Sequence, residues 1–410
     1  MKLDRSVPFD AGEAEVVLSA LPAEPAVFAL WPRSDPAPDT QPYLGRTRNL
    51  RHRLERLLAS PRPGLRRLNL HEFTRRVDYQ AVGSAFEATW LIYRLNHAHY
   101  PRLYRQRLHL KPPALLKVNL ANRFPRCYAT RRLARDGSLY YGPFPSRADA
   151  EQFAGEFLDF FKVRRCVEDL DPDPKHPGCI YSQMRMCLAP CFAGCTDAEY
   201  QLELGRAIRF LDTQGSSLVS EFECERGRAA EGLDFEQAGR LHQRLEKVND
   251  TLRRRPDLAK NVRDLHAIIL ERGAGPQSVV LFRVWAGELF GPATLALDEK
   301  VASPASLDQQ LQTVLDSLKP GPESGKGARP VAAVPTASDA QAHAPAPEPG
   351  SSHLVTLSPD SRPLPPWEHL AILARWYYSS FREGEFVLLK RAEEIPHARL
   401  IRSCRKLTMG

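Results

Sequence analysis

Four cysteines on one short stretch of the chain could hold a soft metal centre. Thiolates that converge on one point suit iron or zinc, because sulfur is more polarisable than oxygen and donates charge to such ions more readily. The interval VEDLDPDPKHPG is rich in turn formers, so the chain can fold back toward a common centre. The sequence therefore predicts a cysteine-ligated centre, and the alternative is a chance cluster of small buried thiols. The cysteines have the spacing C-x12-C-x7-C-x3-C and are Cys166, Cys179, Cys187 and Cys191.

The expected compartment makes disulfides a poor explanation for these cysteines. The start of the chain lacks the basic, apolar and small-residue regions of a signal peptide, and the longest apolar stretch, HLAILARWYY, is too short to cross a bilayer. We therefore expect a cytoplasmic protein with no membrane partner, in a reducing compartment where disulfides are rare. Cys195 lies three residues beyond Cys191 with the same x3 gap and could be a substitute ligand. The isolated thiols, expected to be inert, are Cys127, Cys224 and Cys404.

A dense run of arginines is the second group with possible chemistry. Between Arg46 and Arg76 the chain has ten arginines opposed by Glu55 and Glu72 alone, within a net charge of +8. A phosphate backbone is the usual partner for such a density, since arginine offers a rigid fork to phosphate oxygens and each contact releases condensed counterions. The alternative is a solvated surface in a protein that is rich in arginine.

The arginine run falls on a predicted hairpin and the helix after it. EPAVFALW reads as a buried strand and YLG as the end of a second strand, so a hairpin is the simplest arrangement. From Thr47 the apolar spacing becomes helical. At about 100° per residue, Arg46 and Arg53 fall beside the apolar stripe, whereas Arg48 and His52 face water. The stripe consists of Leu50, Leu54, Leu57 and Leu58.

A second helix is predicted from Ser84 to His99, with Glu87 in its first turn. It has two apolar faces, so we expect it to be buried on two sides. One face carries Phe86, Trp90, Tyr93 and His97, and the other carries Ala88, Leu91 and Leu95.

The rest of the chain predicts further folded segments and one linker. LLKVNL and RCYATRRLARDGSLYYGPFPS are strand-like, and an amphipathic helix follows over 147–161. Residues 200–254 read as antiparallel helices broken at EGLDF, and 264–297 alternates like a β-meander. Residues 319–366 are rich in Pro, Ala, Gly and Ser and predict a disordered linker. One final helix over 367–381 is expected before a basic tail.

The order of these landmarks resembles the N-terminal half of the UvrC family of excinucleases, which includes shorter Cho-like relatives. The landmarks are the YLG hairpin, the Arg-rich helix, the Glu-bearing helix, YYGPFPS, the cysteine segment with CLAPC, and LDFEQAGRLHQRLE, over roughly residues 18–300. The resemblance implies a GIY-YIG nuclease domain that incises DNA 3′ to a lesion, an iron–sulfur cluster on the cysteines, and a UVR hairpin that docks on UvrB. It also implies that only the beginning of the family's RNase H-like region is retained.

The resemblance assigns roles to residues of the nuclease domain. Glu87 is implied to bind Mg²⁺ or Mn²⁺, Tyr43 to activate or position water, and Arg53 to balance the charge of the pentavalent phosphate. Arg46 stands where the family has a lysine after its YIG motif.

Two departures from the family pattern leave two functions open. Phe28, in AVF rather than GIY, and Leu57 each stand where the family has a tyrosine. Losing one such donor typically lowers a rate by about 10² to 10³. The sequence predicts a UvrC-like nucleotide excision repair protein that is a Mg-dependent endonuclease on damaged double-stranded DNA, recruited by UvrB. The alternative is a catalytically impaired adaptor that binds DNA and UvrB.

The remaining predicted sites bind metal, DNA and UvrB. The cysteines are expected to hold a [4Fe–4S] cluster, with tetrahedral zinc as the alternative. The residues expected to contact phosphates are Arg48, Arg66, Arg67, Arg75 and Arg76. The residues expected on the UvrB-binding face of the hairpin are Phe235, Ala238, Leu241 and Leu245.

The predicted fold class is an α/β multidomain protein with a small GIY-YIG domain, a cysteine-rich segment, a helical UVR hairpin and a partial β-rich domain. The predicted boundaries are 18–105 for the nuclease-like domain, 106–200 for a connecting region with the cysteine segment at 166–195, 201–255 for the UVR hairpin, 260–318 for the partial RNase H-like β region, 319–366 for the linker, and 367–410 for the C-terminal helix and basic tail.

Overall fold

The computed structural model describes residues 2–35, 40–60, 68–297, 304–319 and 362–409, and the predicted linker lies almost entirely outside them. The described residues form two compact units of mixed α and β structure, which agrees with the predicted α/β multidomain class. The first unit combines residues up to Lys111 with His266–Lys319 and the residues from Ala371 onward. The second combines Pro112–Leu265 with residues 362–370. Within the described ranges, no helix has the length and apolar character that a membrane crossing needs.

The β-strands of the described residues build three four-stranded sheets. In chain order they are β1 (Arg5–Pro8), β2 (Ala26–Trp31), β3 (Tyr43–Thr47), β4 (Arg76–Ala81), β5 (Ala114–Val118), β6 (Cys127–Thr130), β7 (Leu139–Phe144), β8 (Lys260–Asn261), β9 (Ala267–Arg272), β10 (Ser278–Trp285), β11 (Glu288–Ala296) and β12 (Glu385–Leu388).

The α-helices of the described residues range from one turn to five turns. In chain order they are α1 (Ala14–Ala20), α2 (Leu50–Leu58), α3 (Ala85–His99), α4 (Tyr104–Arg107), α5 (Arg147–Leu158), α6 (Ile180–Gln183), α7 (Asp197–Asp212), α8 (Ser216–Glu231), α9 (Phe235–Arg254), α10 (Pro304–Ser317), α11 (Trp367–Tyr377) and α12 (His397–Met409).

The first sheet has the antiparallel order β1-β4-β2-β3. It confirms the predicted hairpin, because β2 pairs with β3 directly. Every residue of β2 is buried, since α2 covers one face of the sheet and α3 covers the other. The predicted helices are confirmed as α2 and α3, and α3 is buried on both predicted faces except at its exposed His97. The edge strand β1 was not predicted.

The second unit contains the sheet β6-β5-β7-β8, with α5 packed on β5 and β6. The helical prediction for 200–254 is confirmed as α7, α8 and α9, with the break at residues 232–234. Helices α8 and α9 run antiparallel, because Gly215 at the start of α8 meets Leu252 near the end of α9 and Arg226 reaches His242.

The third sheet belongs to the first unit and has the order β11-β10-β9-β12. The predicted meander is confirmed as β9, β10 and β11. The prediction of one final helix and a basic tail is wrong, since α11 is followed by β12, which pairs with β9, and by α12. Leu400 and Cys404 of α12 are buried in the core of this sheet, and the arginines around them hide that helical spacing in the sequence.

Candidate functional site

The predicted nuclease hairpin brings Phe28 and Tyr43 together. Phe28 lies opposite Gly45, its ring centroid is 6.3 Å from that of Tyr43, and its side chain is 0% exposed. A Cβ atom on Gly45 would lie 2.4 Å from Phe28 Cζ, so the glycine of YLG makes room for this ring. The position where the resemblance implies a tyrosine is therefore a closed core position.

Arg46 projects from β3 toward α3. Its Nη1 donates to Thr89 Oγ1 at 2.6 Å, and its pKa is lowered by partial burial and by the nearby Arg375. Two arginines of like charge held near each other repel one another, and a bound phosphate oxygen would relieve that repulsion. This pair therefore has the chemistry of an anion contact.

The other arginines predicted to contact DNA differ in exposure and in the protein groups that they already contact. Arg48 is exposed, as predicted, and Arg53 is half-buried on α2. Arg75 donates to the carbonyl oxygens of Glu72 and Thr74. Arg76 pairs with Asp78 at 2.9 Å and lies 5.1 Å above the Trp31 ring. Arg66 and Arg67 lie outside the described residues.

Glu87, the predicted Mg²⁺ ligand, is held inside the fold rather than at its surface. Helix α3 begins after Ser84, whose Oγ accepts the Glu87 N–H at 3.1 Å. The Glu87 carboxylate turns back to accept the Gly83 N–H at 2.9 Å, and the residue is 4% exposed. Burial raises the pKa of this carboxyl to about 7, against the opposing effect of the Gly83 hydrogen bond.

The turn between β9 and β10 covers the start of α3. A Cβ atom on Gly83 would lie 2.1 Å from the Arg272 carbonyl oxygen, so the two backbones touch. On β9, Glu271 is 1% exposed, and its buried Oε1 has no hydrogen-bond partner among the described residues. Burial raises the pKa of Glu271 to about 8, and Glu87 is one of the negative groups that add to this rise. Sequence reasoning missed Glu271, which reads as an ordinary polar residue at the end of a strand.

The sheet separates Glu87 from the aromatic pair of the hairpin. Phe28 and Tyr43 pack with the leucines of α2 on one face, and α3 packs against Val27 and Leu44 on the other. Glu87 lines a cavity of about 450 Å³. The described residues that line this cavity include neither Tyr43 nor Arg53. The structure thus brings Phe28 to Tyr43, but it does not bring Glu87 to either of them.

The four predicted metal ligands lie together in the second unit. Burial raises the pKa of Cys187 to about 11, with a smaller contribution from the nearby Cys166, Cys179 and Cys191. The Ala189 N–H donates to Cys187 Sγ at 3.3 Å, a contact that favours a thiolate. All eight cysteines are free. Among the residues with described positions, no group of three or more His, Cys, Asp or Glu is arranged as it stands to hold a metal ion.

A buried arginine lies beside these cysteines. Arg164 is 1% exposed, and its Nε donates to the Phe124 carbonyl oxygen at 2.7 Å. Its Nη1 donates to the Glu168 carbonyl oxygen at 2.7 Å and lies 3.5 Å from Cys166 Sγ. Across the described part of the chain, no carboxylate forms an ion pair with Arg164. A buried guanidinium is costly without a counter-charge, and the cysteine sulfurs are the groups that could supply one.

The predicted UvrB-binding stripe is divided between the core and the surface. Leu241 and Leu245 are 2% and 7% exposed and pack inside the second unit, so their prediction as docking residues is wrong. Ala238 is half-buried. Phe235 is 71% exposed, and the neighbouring Leu233 is 72% exposed. The helical spacing of the stripe was read correctly, but spacing alone does not say which end of a hairpin is already packed.

The sequence pattern did not identify Leu233 as a docking residue, because Leu233 lies in the turn between α8 and α9 rather than on a helix. Its φ of 57° is left-handed, a conformation that costs a leucine roughly 1–2 kcal/mol. An apolar side chain that is both strained and exposed is unfavourable in the free protein. The hairpin tip formed by Leu233 and Phe235 therefore has the character of a contact surface.

Comparison with known proteins finds similarity to one family, most specifically over residues 114–210 of the second unit. Residues 114–210, which include all four cysteines, match the UvrC/Cho excinuclease middle domain. The chain is 30% identical to the UvrABC system protein C of Trichlorobacter lovleyi over 237 residues, 57% of this chain and 38% of that protein. It is 25% identical to that of Citrifermentans bemidjiense over 311 residues, 75% and 49% of the two chains. With that of Moorella thermoacetica it shares 28% identity over 283 residues, 68% and 44%.

These similarities confirm the resemblance inferred from the landmarks. The chain is similar to UvrABC system protein C over 57% to 75% of its length, and residues 114–210 match the UvrC/Cho-type middle domain. The chain spans less than half the length of the curated relatives it matches. No solved structure matches the chain.

Proposed function

We propose that this protein acts in nucleotide excision repair as a UvrC-like adaptor that binds DNA and UvrB and does not cut DNA with its N-terminal domain. The observation that carries the proposal is the position of Glu87. The residue is 4% exposed, and its carboxylate accepts a hydrogen bond from the Gly83 N–H. The β9–β10 turn covers the start of α3 beside it. Of the two functions that the sequence leaves open, this geometry favours the adaptor.

Phosphodiester cleavage needs a carboxylate that shares one Mg²⁺ with the scissile phosphate, beside a group that positions the attacking water. Here the carboxylate is buried on the α3 side of the sheet, and Tyr43 lies on the α2 side. The second hydroxyl is absent at Phe28, which is fully buried. Incubation with UvrB-loaded damaged duplex and Mg²⁺ tests the proposal, and we expect no incision from the wild type, Glu87→Gln or Phe28→Tyr.

The cysteines support a second part of the proposal, a [4Fe–4S] cluster with zinc as the alternative ion. Cys166, Cys179, Cys187 and Cys191 supply four sulfurs, the donor set that both centres use. A centre ligated by four thiolates carries net negative charge, and Arg164 is a buried cation that lacks a carboxylate partner among the described residues. The fit of charge to counter-charge supports thiolate ligation here.

The hairpin tip supports the partner in the proposal. Helix-on-helix docking buries exposed apolar side chains, and Leu233 and Phe235 offer such side chains at the end of an antiparallel helix pair. Charged residues lie beside the tip, for example the ion pair of Arg240 with Glu236. This pattern of an apolar centre with a polar rim is typical of a docking site for the C-terminal hairpin of UvrB.

We expect Phe235→Ala to weaken binding to UvrB by at least tenfold in titration calorimetry. The reason is that truncating a central aromatic contact costs roughly 2 kcal/mol or more. Because Phe235 is exposed, its removal should leave the melting temperature unchanged within about 2 °C.

Leu245→Ala is the matched control on the same helix. Leu245 is buried, so this variant should lose about 2–5 kcal/mol of folding free energy while its folded fraction keeps wild-type affinity for UvrB. Unchanged affinity in Phe235→Ala would show that the tip is not the docking site.

A further inference from the structure

Helix α12 at the end of the chain carries an unusual concentration of positive charge. Its sequence, HARLIRSCRKLTM, contains no acidic residue. The basic residues with exposed side chains on this helix are Arg399, Arg402, Arg405 and Lys406.

The basic residues lie on the side of α12 that faces away from the core. Leu400 and Cys404 are buried against the sheet that contains β9 and β10. At about 100° per residue, the stripe from Arg399 through Arg402 to Arg405 is centred roughly 160° from these two residues. The three arginines span about 9 Å along the helix axis, a length that covers about three phosphates of one DNA strand.

The arginines of this stripe have no carboxylate partners in the part of the chain that the structure describes. The acidic groups near α12 pair with other residues of this helix, since Glu385 of β12 pairs with Lys406 at 2.9 Å and Asp308 of α10 pairs with His397 at 2.9 Å. In the turn before the helix, Glu394 pairs with Arg391 at 3.6 Å, and Glu393 is exposed.

Helix α9 shows what a merely solvated basic face looks like in the same protein. Its Arg240 pairs with Glu236, and its Arg253 pairs with Asp250. Arg254 also pairs with Glu156, so three of the five Arg and Lys residues on α9 have a carboxylate partner. The bare arginines of α12 repel one another, and that repulsion is relieved only when an anion binds.

We propose that the exposed face of α12 binds the sugar-phosphate backbone of duplex DNA. This contact goes beyond the proposed function and beyond the phosphate contacts that the sequence predicts, all of which lie between Arg48 and Arg76. Arginine suits the role because its fork matches phosphate oxygens and its charge is permanent. Backbone contacts of this kind hold and orient DNA without reading its sequence.

A membrane surface is the less suitable anionic partner. A helix that lies on a membrane inserts its apolar face between the lipids. In α12 that face is already occupied, since Leu400 is 0% exposed and Cys404 is 1% exposed. Only the charged face is free, and it has no large apolar side chain to insert.

The test compares two triple variants of the full chain with equal loss of charge. Arg399, Arg402 and Arg405 are changed to Gln in the first. In the second, three arginines that are paired with Asp197, Glu236 and Asp250, namely Arg123, Arg240 and Arg253, are changed to Gln. The affinity for a fluorescent 20-base-pair duplex is measured by anisotropy at several NaCl concentrations, and circular dichroism confirms that both variants are folded. Sedimentation with vesicles of anionic phospholipid measures membrane binding of the same proteins.

We expect the α12 variant to lose about 2 to 3 units from the slope of log affinity against log salt, because each phosphate contact contributes about 0.9. The paired-arginine control should lose less than one unit, and an α12 triple Lys variant should keep most of the slope. Equal slopes in the α12 variant and wild type would overturn the proposal. Binding to anionic vesicles that depends on α12, without such a dependence for DNA, would also overturn it. The salt slope for a bare duplex is measured without UvrB or Mg²⁺, so its outcome is distinguishable from the UvrB titration and the incision assay that test the proposed function.

Discussion

Protein with Cys187→Ala, purified without oxygen, is expected to contain no bound iron or sulfide, whereas the wild type is expected to be brown and to contain both. The reason is that three thiolates cannot complete a site built for four. Metal and sulfide analysis with visible absorption measures this result. Cys224→Ala is the control, because Cys224 is exposed and lies outside the cysteine segment.

Substitution of Arg164 tests the same metal centre through its reduction potential. Arg164→Met should lower the reduction potential of the centre, since the guanidinium near Cys166 favours the more negative reduced form, and Arg164→Lys should restore part of the shift. Zinc with no iron in the wild type would contradict the cluster and leave a thiolate metal site. Full metal content in Cys187→Ala would contradict both.

The free energy of unfolding is expected to fall by several kcal/mol as the pH rises from about 5 to 8. Glu87 and Glu271 have pKa values raised to about 7 and about 8 by burial, so the folded state holds protons that the unfolded chain releases near pH 4.5. The stabilisation is complete below the unfolded pKa and is lost as the pH passes through the folded values. Each group can contribute on the order of 3 kcal/mol.

Urea denaturation at a series of pH values measures this dependence. Glu271→Gln should flatten the curve and raise the stability at pH 8, because the amide keeps the shape of the side chain without its charge. Glu55→Gln is the control, since Glu55 is exposed on α2. Stability that rises between pH 5 and 8 would show that the two carboxylates are not buried together.

Local pattern predicted most of the elements and failed where long-range packing decides. The run AVFALW and the leucine spacing of α2 fix their own secondary structure, so β2 and α2 were predicted correctly. Burial of Glu87 depends on the β9–β10 turn, which is almost 190 residues away in the chain and leaves no trace near Glu87. The same holds for Leu245, whose helical face was predictable but whose burial depends on the rest of the second unit.

The pattern of charges in the sequence located the arginine-rich segments but did not show which arginines are paired, because pairing depends on long-range packing. The arginine run was recognised from composition, yet Arg76 is engaged by Asp78 and the ring of Trp31, which no count of charges could reveal. The tail was recognised as basic, but its fold was missed because its apolar residues, such as Leu400 and Cys404, are interrupted by cations. Composition identifies where charge is dense, and only packing shows which charges are free to bind.

An incision assay tests most directly whether the N-terminal domain cuts DNA. Wild type, Glu87→Gln and Phe28→Tyr are incubated with UvrB-loaded, lesion-bearing duplex in Mg²⁺ or Mn²⁺, beside the UvrABC system protein C of Moorella thermoacetica as a positive control. We expect binding of the loaded duplex by all three forms and no incision by any of them. Incision by the wild type that is lost in Glu87→Gln and increased in Phe28→Tyr would contradict the adaptor and establish Glu87 as a working metal ligand.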